Sequence, residues 1–522
     1  MRILTGRPPS SAIPDQPLAT FFRERVTAYG DRVALIDGPS GRQYTYAQLL
    51  ALSASVANSL LARGIAKGDR VAFVTPNVPE VALAYHGVIA AGAVAMMINP
   101  LSTPDELKKY FSVGTPVLVV TVAMFVDGIR AADPTVPVIV IGDAPAGTEP
   151  ITALLGASKV PPAIDVGPDD LAVMPYSSGT TGFPKGVMLT QRNLIAQVMS
   201  LDAIGDADVI QRDAPTIAVL PFFHIYGIMA FLTFGLVRGA TMITMPRFDM
   251  AQFLELARTY KVPTLHVVPP ILLGLAKYPG ELNLPDVRAA LVGAAPLSAE
   301  LAAAFTQRTN ATVYQVYGMT EVTGASHLGS QLPARNKPGS IGGLIANCEA
   351  RLVSPTTGED VAPGEPGEVW VRAPFVMRGY FENPEATAET IDAEGWLHTG
   401  DIAHVDEDGD FFVVDRVKEL IKYKGLQVAP AELEAVLLQH PAIADAAVYP
   451  LLDEEAGEIP KAAIVLKAGA TATVDEILAF VQERVSPQKR VRAVAFVDAI
   501  PKSASGKILR RILIERERAS SS

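Results

Sequence analysis

A chain of 522 residues is too long for one ordinary hydrophobic core, so its length predicts two to four packed units. With 49% hydrophobic and 19% charged residues, the composition is that of a compact globular protein and excludes a disordered chain. A formal net charge of -11 argues against a nucleic-acid partner, because phosphate backbones are bound by basic surfaces.

The single cysteine, Cys348, excludes an internal disulfide and a cysteine-rich metal site, and it fits a reducing compartment such as the cytoplasm. Prolines interrupt the N-terminal segment, which therefore does not predict a secretion signal. Two uncharged stretches, 81–103 and 214–237, have the length of a membrane span. The second carries Pro221 and His224 in its middle, and the first changes from a helical to a strand pattern. We therefore expect no transmembrane segment.

Strand and helix patterns alternate over about the first 300 residues. Short runs rich in Val and Ile, such as "RVAFVTP", "PVLVVT" and "RAALVGAAP", end in turn residues. Helical patterns such as "YAQLLALSASVANSLLARG" and "EVALAYHGVIAAGA" lie between them. The alternation predicts an α/β fold with two doubly wound αβα sheets, in which ligands bind beyond the carboxyl ends of the strands.

The pattern changes in the C-terminal third of the chain. From about residue 338, glycines, prolines and short alternating segments predict an antiparallel, β-barrel-like subdomain. After "DGDFFVVD", the sequence predicts a hairpin, the amphipathic helix "PAELEAVLLQH", two strands, the helix "VDEILAFVQERV" and the strand "AVAFVD". We therefore divide the chain into a large N-terminal domain, 1–414, and a small α+β domain, 415–522.

The loop "YSSGTTGFPKG", at 176–186, surrounds one lysine with hydroxyl groups and glycines. Hydroxyls and glycine amides donate hydrogen bonds to phosphate oxygens without crowding them, and Lys185 adds a positive charge. The loop is not a Walker motif, because Gly179 and Gly182 are three residues apart and Gly186 follows the lysine. The segment predicts a polyphosphate site.

This loop resembles the signature loop of the adenylate-forming superfamily, which includes acyl-CoA synthetases, firefly luciferases and peptide-synthetase adenylation domains. Further motifs of that family follow in the family's order: "YGMTE" at 317–321, "TGD" at 399–401, "DRVKELIKYKGLQVAPAELE" at 415–434 and "PKSASGK" at 501–507. The segments "LPFFHIYG" and "KELIKYKGLQVAPAELE" are most similar to the 4-coumarate:CoA ligase branch.

The resemblance implies an ATP-dependent, AMP-forming ligase that joins a small carboxylic acid to coenzyme A. The carboxylate attacks the α-phosphate of ATP and releases pyrophosphate, and the thiol of CoA then displaces AMP. Neither step needs a protein nucleophile, so positioning and charge neutralisation dominate. The resemblance also implies a mobile C-terminal lid that turns about a hinge at Asp415.

The resemblance further assigns residues to ATP, to Mg²⁺ and to the first step. The metal ligand is Glu321, and Lys507 is the catalytic lysine that meets charge on the α-phosphate and carboxylate. The ATP and AMP ligands are Ser177, Ser178, Gly179, Thr180, Thr181, Lys185, Gln315, Thr320, Asp401, Arg416 and Lys507.

For the second step, the resemblance assigns Lys424 and Gly425 to the pantetheine passage and Arg247 to a CoA phosphate. Lys422 is predicted to be catalytic as an adenylate-facing lysine. His224 is predicted to be catalytic as well, because its imidazole could order the carboxylate or help to accept the thiol proton.

The predicted acyl pocket is mostly apolar, which favours an apolar acid. Plant 4-coumarate ligases often have Asn where Met229 stands, Ser where Ala230 stands and Gly where Val316 stands. Loss of the amide and the hydroxyl weakens the case for a phenol-binding site, so aryl, cinnamate-like and medium-chain acids all remain open. The pocket residues are Tyr226, Met229, Ala230, Gly293, Ala294, Ala295, Val316, Gly324, Ala325, Lys418, Lys422 and Gln427.

Two other functions remain open from the sequence alone. One is an enzyme that passes its acyl adenylate to a carrier protein or another acceptor instead of CoA. The other is a non-catalytic nucleotide-binding module, although the presence of Lys185, Asp401, Arg416 and Lys507 argues against a degenerate site.

Overall fold

The structure of the chain is a computed structural model. It describes residues 2–8, 11–177, 185–203, 211–330, 336–417, 419–423, 426–453, 456–485, 487–503 and 506–520. Over these residues the strands form five sheets. The α-helices that pack around them are Leu18–Val26, Tyr46–Ala62, Pro79–Ala90, Pro104–Gly114, Val126–Ala132, Gln191–Asp202, Ile225–Gly227, Phe234–Val237, Met250–Thr259, Pro269–Ala276, Ala299–Thr309, Pro384–Thr390, Pro430–Leu438, Val474–Gln482 and Arg510–Ser520.

The largest sheet in the described part of the chain has eight strands, and its centre is parallel. Val94–Ile98 is buried along its whole length, as the uninterrupted apolar run predicts for a central parallel strand. The strand order is Gly379–Tyr380, Lys185–Thr190, Leu171–Ser177, Val94–Ile98, Arg70–Val74, Leu118–Val122, Val138–Ile141 and Glu149–Pro150. The first strand pairs antiparallel with the second, and the second with the third, so this edge differs from the parallel pairing that is typical of a doubly wound sheet.

Two further sheets complete the α/β part. The four-stranded sheet has the order Pro215–Ala218, Thr241–Thr244, Val33–Asp37 and Gln43–Thr45. The five-stranded sheet has the order Thr264–Val267, Ala289–Gly293, Thr312–Met319, Gly324–Leu328 and Gly343–Leu344. In the five-stranded sheet the first three strands are parallel and the last two are antiparallel.

A capping box fixes the start of the helix Gln191–Asp202, which follows the predicted phosphate loop. Thr190 is the N-cap of Gln191–Asp202: its hydroxyl accepts a hydrogen bond from the Asn193 backbone N–H, and the Asn193 side chain accepts from the Thr190 N–H. Such reciprocal bonds satisfy backbone donors that a helix start leaves unpaired. The sequence predicts this helix from Thr190 onward, and the strand Lys185–Thr190 before it is an addition to that prediction.

An antiparallel sheet follows the α/β part, as the glycines, prolines and short alternating segments from about residue 338 predict. Its order is Leu4–Thr5, Glu349–Val353, Gly367–Arg372, Leu397–Val405 and Phe411–Arg416. The C-terminal sheet contains the predicted hairpin, in which Ile421–Tyr423 pairs antiparallel with Leu426–Val428. Its other strands are Ile443–Asp453, Gly457–Leu466 and Ala493–Phe496.

The C-terminal part meets the α/β part close to the end of the chain. Gly506 has φ +84° and packs on the helix Pro269–Ala276, since a Cβ built on it would lie 2.8 Å from Cγ of Pro270. The loop that carries Lys507 therefore lies against the larger part of the molecule. Among the described residues, no helix is both long and apolar enough to cross a bilayer. The boundary at 414/415 stays a prediction.

Candidate active site

Two neighbouring strands hold the ends of the phosphate loop together. Ser177 ends one strand and Lys185 begins the next, and the two residues pair directly in the antiparallel register. The residues on either side of the loop thus lie next to each other at the carboxyl end of a strand, where ligands of such sheets bind. The predicted phosphate ligands Ser178, Gly179, Thr180 and Thr181 lie outside the described residues.

Tyr380 lies between Lys185, the predicted phosphate-binding lysine, and Glu321, the predicted metal ligand. The ammonium nitrogen of Lys185 lies 4.8 Å from the centre of the Tyr380 ring, within cation–π range. The Tyr380 hydroxyl donates a 2.9 Å hydrogen bond to Oε1 of Glu321, which is buried. Burial, and then the Glu321 carboxylate, raise the pKa of Tyr380, so the phenol stays a proton donor. Sequence reasoning did not identify Tyr380, because it lies on a two-residue strand without a motif.

Asp401 is held by two side chains that approach from different strands. Its Oδ2 accepts a 2.7 Å hydrogen bond from the Tyr317 hydroxyl, and its Oδ1 lies 2.9 Å from Nε of Arg416. Asp401 raises the pKa of Arg416, and burial, followed by Asp401, raises that of Tyr317. A fixed, buried carboxylate of this kind can accept hydrogen bonds from a diol such as a ribose.

Lys507 is brought to the same cluster from near the end of the chain. Burial lowers the pKa of its ammonium, and the neighbouring Arg416 lowers it further. The carboxylates of Asp401, Glu321 and Glu419 act in the opposite direction. These interactions place Lys507 among the predicted ribose and metal ligands, where its charge can neutralise an anionic ligand.

His224 borders Lys507 and carries its proton on a defined ring nitrogen. Its Nδ1 accepts a 3.2 Å hydrogen bond from the backbone N–H of Tyr226, as the N-cap of a short helix. The proton of the neutral ring is therefore on Nε2. Burial, and then the charge of Lys507, lower the pKa of His224 to about 4. The imidazole is thus a neutral N–H donor at physiological pH.

The predicted acyl residues converge beside His224. The Tyr226 hydroxyl donates to the backbone oxygen of Leu291 at 3.1 Å, and its ring covers Gly293, where a built Cβ would lie 3.2 Å from the Tyr226 Cε1 atom. Met229 and Ala230 are buried on the π-helical segment Ile228–Thr233. The other described members of the pocket, on the neighbouring strands and loops, are Ala294, Ala295, Val316, Gly324 and Ala325.

Two predicted nucleotide ligands lie on the strand Thr312–Met319 and the turn after it. The Gln315 side chain donates a 2.9 Å hydrogen bond to the backbone oxygen of Ser340, which fixes its orientation. Thr320 is buried and directly precedes Glu321. Gln315 lies in the middle of this strand, whereas Thr320 follows its carboxyl end, where ligands of such sheets bind.

The predicted CoA and hairpin residues are not all joined to this cluster. Arg247 is exposed, three residues beyond the end of the strand Thr241–Thr244. Lys418, Lys424 and Gly425 lie outside the described residues. The backbones of Lys422 and Gln427 face each other in the hairpin, and their side chains also lie outside the description.

Asp415, the predicted hinge, contacts the first turn of the next helix. Its Oδ1 accepts a 2.6 Å hydrogen bond from the Arg416 N–H, and its Oδ2 accepts a 2.9 Å bond from the N–H of Ala431 in Pro430–Leu438. Burial raises the pKa of Asp415 to about 6. Its carboxylate therefore links the antiparallel sheet to the α+β part of the chain.

This fold and this cluster of charged groups define an adenylate-forming enzyme. Among solved structures, ATP-bound MatB from Rhodopseudomonas palustris superposes with a TM-score of 0.88 at 30% identity, covering 95% of this chain and 98% of that chain. The anthranilate CoA ligase AuaEII in complex with anthranoyl-AMP superposes with a TM-score of 0.87 at 25% identity, covering 98% and 99%. These similarities confirm the predicted fold.

The chain belongs to the AMP-binding enzyme family. The family model "AMP-binding enzyme" matches residues 22–381, and the model "AMP-binding enzyme C-terminal domain" matches residues 432–507. The chain is 42% identical to 4-coumarate–CoA ligase 1 of Petroselinum crispum over 98% of its length and 96% of the relative's. It is 41% identical to the 4-coumarate–CoA ligase of Vanilla planifolia, with coverages of 98% and 96%. These matches confirm the predicted superfamily and branch, and with them an ATP-dependent, AMP-forming acid:CoA ligase.

Proposed function

We propose that the ligase acts on an aryl or cinnamate-like acid, such as 4-coumarate. The observation that carries the proposal is the position of Lys507, which interacts with Asp401 on one side and with His224, next to the apolar residues Tyr226 and Met229, on the other. The 42% identity to 4-coumarate–CoA ligases over nearly the whole chain supports the same class of acid. Medium-chain acids, which the apolar walls also admit, form the comparison group.

In the first step, the acid carboxylate forms a bond to the α-phosphorus of ATP, and the bond from that phosphorus to the bridging oxygen of pyrophosphate breaks. Lys185 would bind the departing phosphates, and Asp401 with Arg416 would hold the ribose. Lys507 would place its ammonium beside the carboxylate and α-phosphate oxygens, where negative charge builds up. The Nε2–H of His224 would orient the carboxylate for attack.

Mg²⁺ is proposed to bind at Glu321. Among the described residues, no group of three or more His, Cys, Asp or Glu side chains could hold a metal. A buried carboxylate is nevertheless a suitable hard ligand, and phosphate oxygens and water would supply the other ligands. The Tyr380 hydroxyl bonds to Oε1 and would orient the carboxylate. When bound, the ion supplies charge neutralisation on the phosphates.

In the second step, the CoA thiol gives up its proton to solvent, its sulfur forms a bond to the acyl carbon, and the bond from that carbon to the AMP oxygen breaks, which releases AMP. We propose that the small domain turns about Asp415 between the steps, and that Lys422 then faces the adenylate. Lys424 and Gly425 would border the pantetheine passage, and Arg247 would meet a CoA phosphate. The exposure of Arg247 suits a ligand that arrives from the surface.

The test measures pyrophosphate release with ATP, Mg²⁺ and a panel of cinnamates, benzoates and fatty acids, each with and without CoA. We expect the highest kcat/KM for an aryl or cinnamate-like acid, and a thioester only when CoA is present. Preference for a medium-chain acid would overturn the substrate proposal. Adenylate that persists when CoA is added would indicate a different acceptor, such as a carrier protein.

We also propose a cytoplasmic location, which the single buried thiol of Cys348 fits.

A further inference from the structure

Gln197 is a fully buried amide on the helix Gln191–Asp202 with no role in the site described so far. Its Nε2 donates a 2.8 Å hydrogen bond to the backbone oxygen of Ala325. A carbonyl oxygen only accepts, so this bond fixes which end of the amide is the nitrogen. Within the described part of the chain, the other end, Oε1, has no hydrogen-bond partner. The helix therefore carries one unpaired, buried acceptor at this position.

The Gln197 amide lies at the wall of the acyl pocket. Gly324 has φ +119°, and a Cβ built on it would lie 3.9 Å from Nε2 of Gln197 and 3.3 Å from Cγ of Met229. Gly324 is therefore in close contact with Met229 and lies beside the nitrogen end of the Gln197 amide. Gly324, Ala325 and Met229 all belong to the predicted acyl pocket, so Gln197 reaches that pocket from a helix that carries none of the family motifs quoted above.

A buried acceptor without a partner is costly, and the cost disappears when a ligand supplies a donor. The neighbouring side chains of Met229 and Ala325 are apolar and offer no competing acceptor. We propose that Gln197 is the specificity residue of the acyl pocket and that its Oε1 accepts a hydrogen bond from a hydroxyl group on the ring of an aryl acid. The inference rests on the proposed function, which it narrows to hydroxylated aryl acids.

The test compares kcat/KM for three probes: 4-coumarate, cinnamate, which lacks the hydroxyl, and 4-methoxycinnamate, which cannot donate. A site built to pair a hydroxyl rejects analogues that leave its acceptor unpaired. We expect the wild type to prefer 4-coumarate about tenfold or more over both analogues. In Gln197→Met, which keeps the side-chain length, we expect the ratio to fall to within about threefold of one, with cinnamate turnover retained.

Asn193 supplies the matched control. It lies one helical turn before Gln197 and is also a buried amide, but its Nδ2 donates to the backbone oxygens of Pro374 and Val376 at 2.9 and 2.8 Å. Asn193→Leu removes a buried amide from the same helix without touching the acyl wall. We expect it to lower the thermal midpoint and to leave the ratio between 4-coumarate and cinnamate unchanged.

The outcomes separate the two proposals. A wild type that converts 4-coumarate and cinnamate with equal kcat/KM would overturn the assignment of Gln197 and leave the aryl-acid proposal standing, and this comparison needs no variant. An unchanged ratio in Gln197→Met would overturn it as well. If none of the aryl acids in the panel is converted to a thioester, the proposed function is overturned, and the assignment of Gln197 with it.

Discussion

Replacement of Lys507 by methionine should block the first half-reaction far more than the second. The ammonium lies in a site where burial is the main cause of its lowered pKa, so its charge acts in an environment of low effective dielectric. Without it, the charge that builds up on the carboxylate and α-phosphate oxygens would face Asp401 and Glu321 with one fewer cation. Loss of one preorganised stabilising group of this kind costs about 10²–10³ in kcat, or about 3–4 kcal/mol.

The two half-reactions can be measured separately. Pyrophosphate release with ATP and acid reports the first, and thioester formation from synthetic acyl-AMP and CoA reports the second. Lys502→Met is the matched control, because Lys502 lies five residues before Lys507 in the same C-terminal segment and its ammonium pairs with Asp445 at 2.6 Å on the surface. An exposed pair contributes about 0–1 kcal/mol, so the control should retain near-normal rates.

The pH dependence gives an independent check on Lys507. A lowered pKa means that the ammonium loses its proton at a lower pH than an ordinary lysine, so the alkaline fall in pyrophosphate release should begin at a lower pH than an ordinary lysine would give. In Lys507→Met that alkaline decline should be absent from the residual rate. Equal losses in both half-reactions, or an unaltered first half-reaction, would refute the assignment.

Three further predictions concern the groups around this lysine. Tyr380→Phe removes the hydroxyl that bonds to Glu321 and keeps the ring beside Lys185, so the Mg²⁺ concentration for half-maximal pyrophosphate release should rise about tenfold. His224→Ala should lower kcat about tenfold or more without changing the pH profile between pH 6 and 8, because the pKa of about 4 leaves the imidazole neutral throughout that range. Asp415 has a folded pKa of about 6, above the ordinary value of about 3.9, so the stability that it contributes is fully present below about pH 4 and is lost as pH rises through 6. Asp415→Asn does not titrate, so between pH 4 and 7 the wild type should lose up to about 3 kcal/mol relative to the variant, measured as the gap between thermal midpoints.

Each of these has a contrary result. Unchanged Mg²⁺ dependence in Tyr380→Phe would show that the phenol does not orient the metal ligand. A wild-type inflection near pH 6.5 that disappears in His224→Ala would indicate a histidine that titrates in the ordinary range. A gap between the Asp415→Asn and wild-type midpoints that stays constant from pH 4 to 7 would contradict the raised pKa.

The sequence predicts the fold because the fold rests on local patterns, and the assignment of the nucleotide site stays a prediction that rests on short motifs. Alternating strands and helices specify parallel sheets, and Asp401, Arg416 and Lys507 each lie in a short motif with a recognisable order. Tyr380 and Gln197 could not be found in this way. Tyr380 lies on a two-residue strand with no periodicity, and Gln197 is distinguished only by its contacts across the fold. A polar residue on the buried face of a helix was the one available signal for Gln197.

The limits of the sequence are clearest where pairing is tertiary. The strand Leu4–Thr5 joins a sheet whose other strands come more than 340 residues later, and two residues carry no pattern that predicts it. From the sequence alone, Lys185–Thr190 cannot be distinguished from the end of the predicted phosphate loop. Its strand character depends on antiparallel pairing with Leu171–Ser177. The exposure of Arg247 also depends on packing that its neighbours in sequence do not reveal.

The hydrogen bond between Asp415 and Ala431 opposes the proposed turn of the small domain. This hydrogen bond closes the chain between the two residues into a loop that contains the hairpin of Lys422. It therefore holds the hairpin and the following helix to the strand that precedes them. The proposed turn about Asp415 must break this hydrogen bond if it moves the helix away from the strand. One hydrogen bond to a carboxylate contributes about 1.5–3 kcal/mol, so breaking it adds only a small cost to the proposed turn.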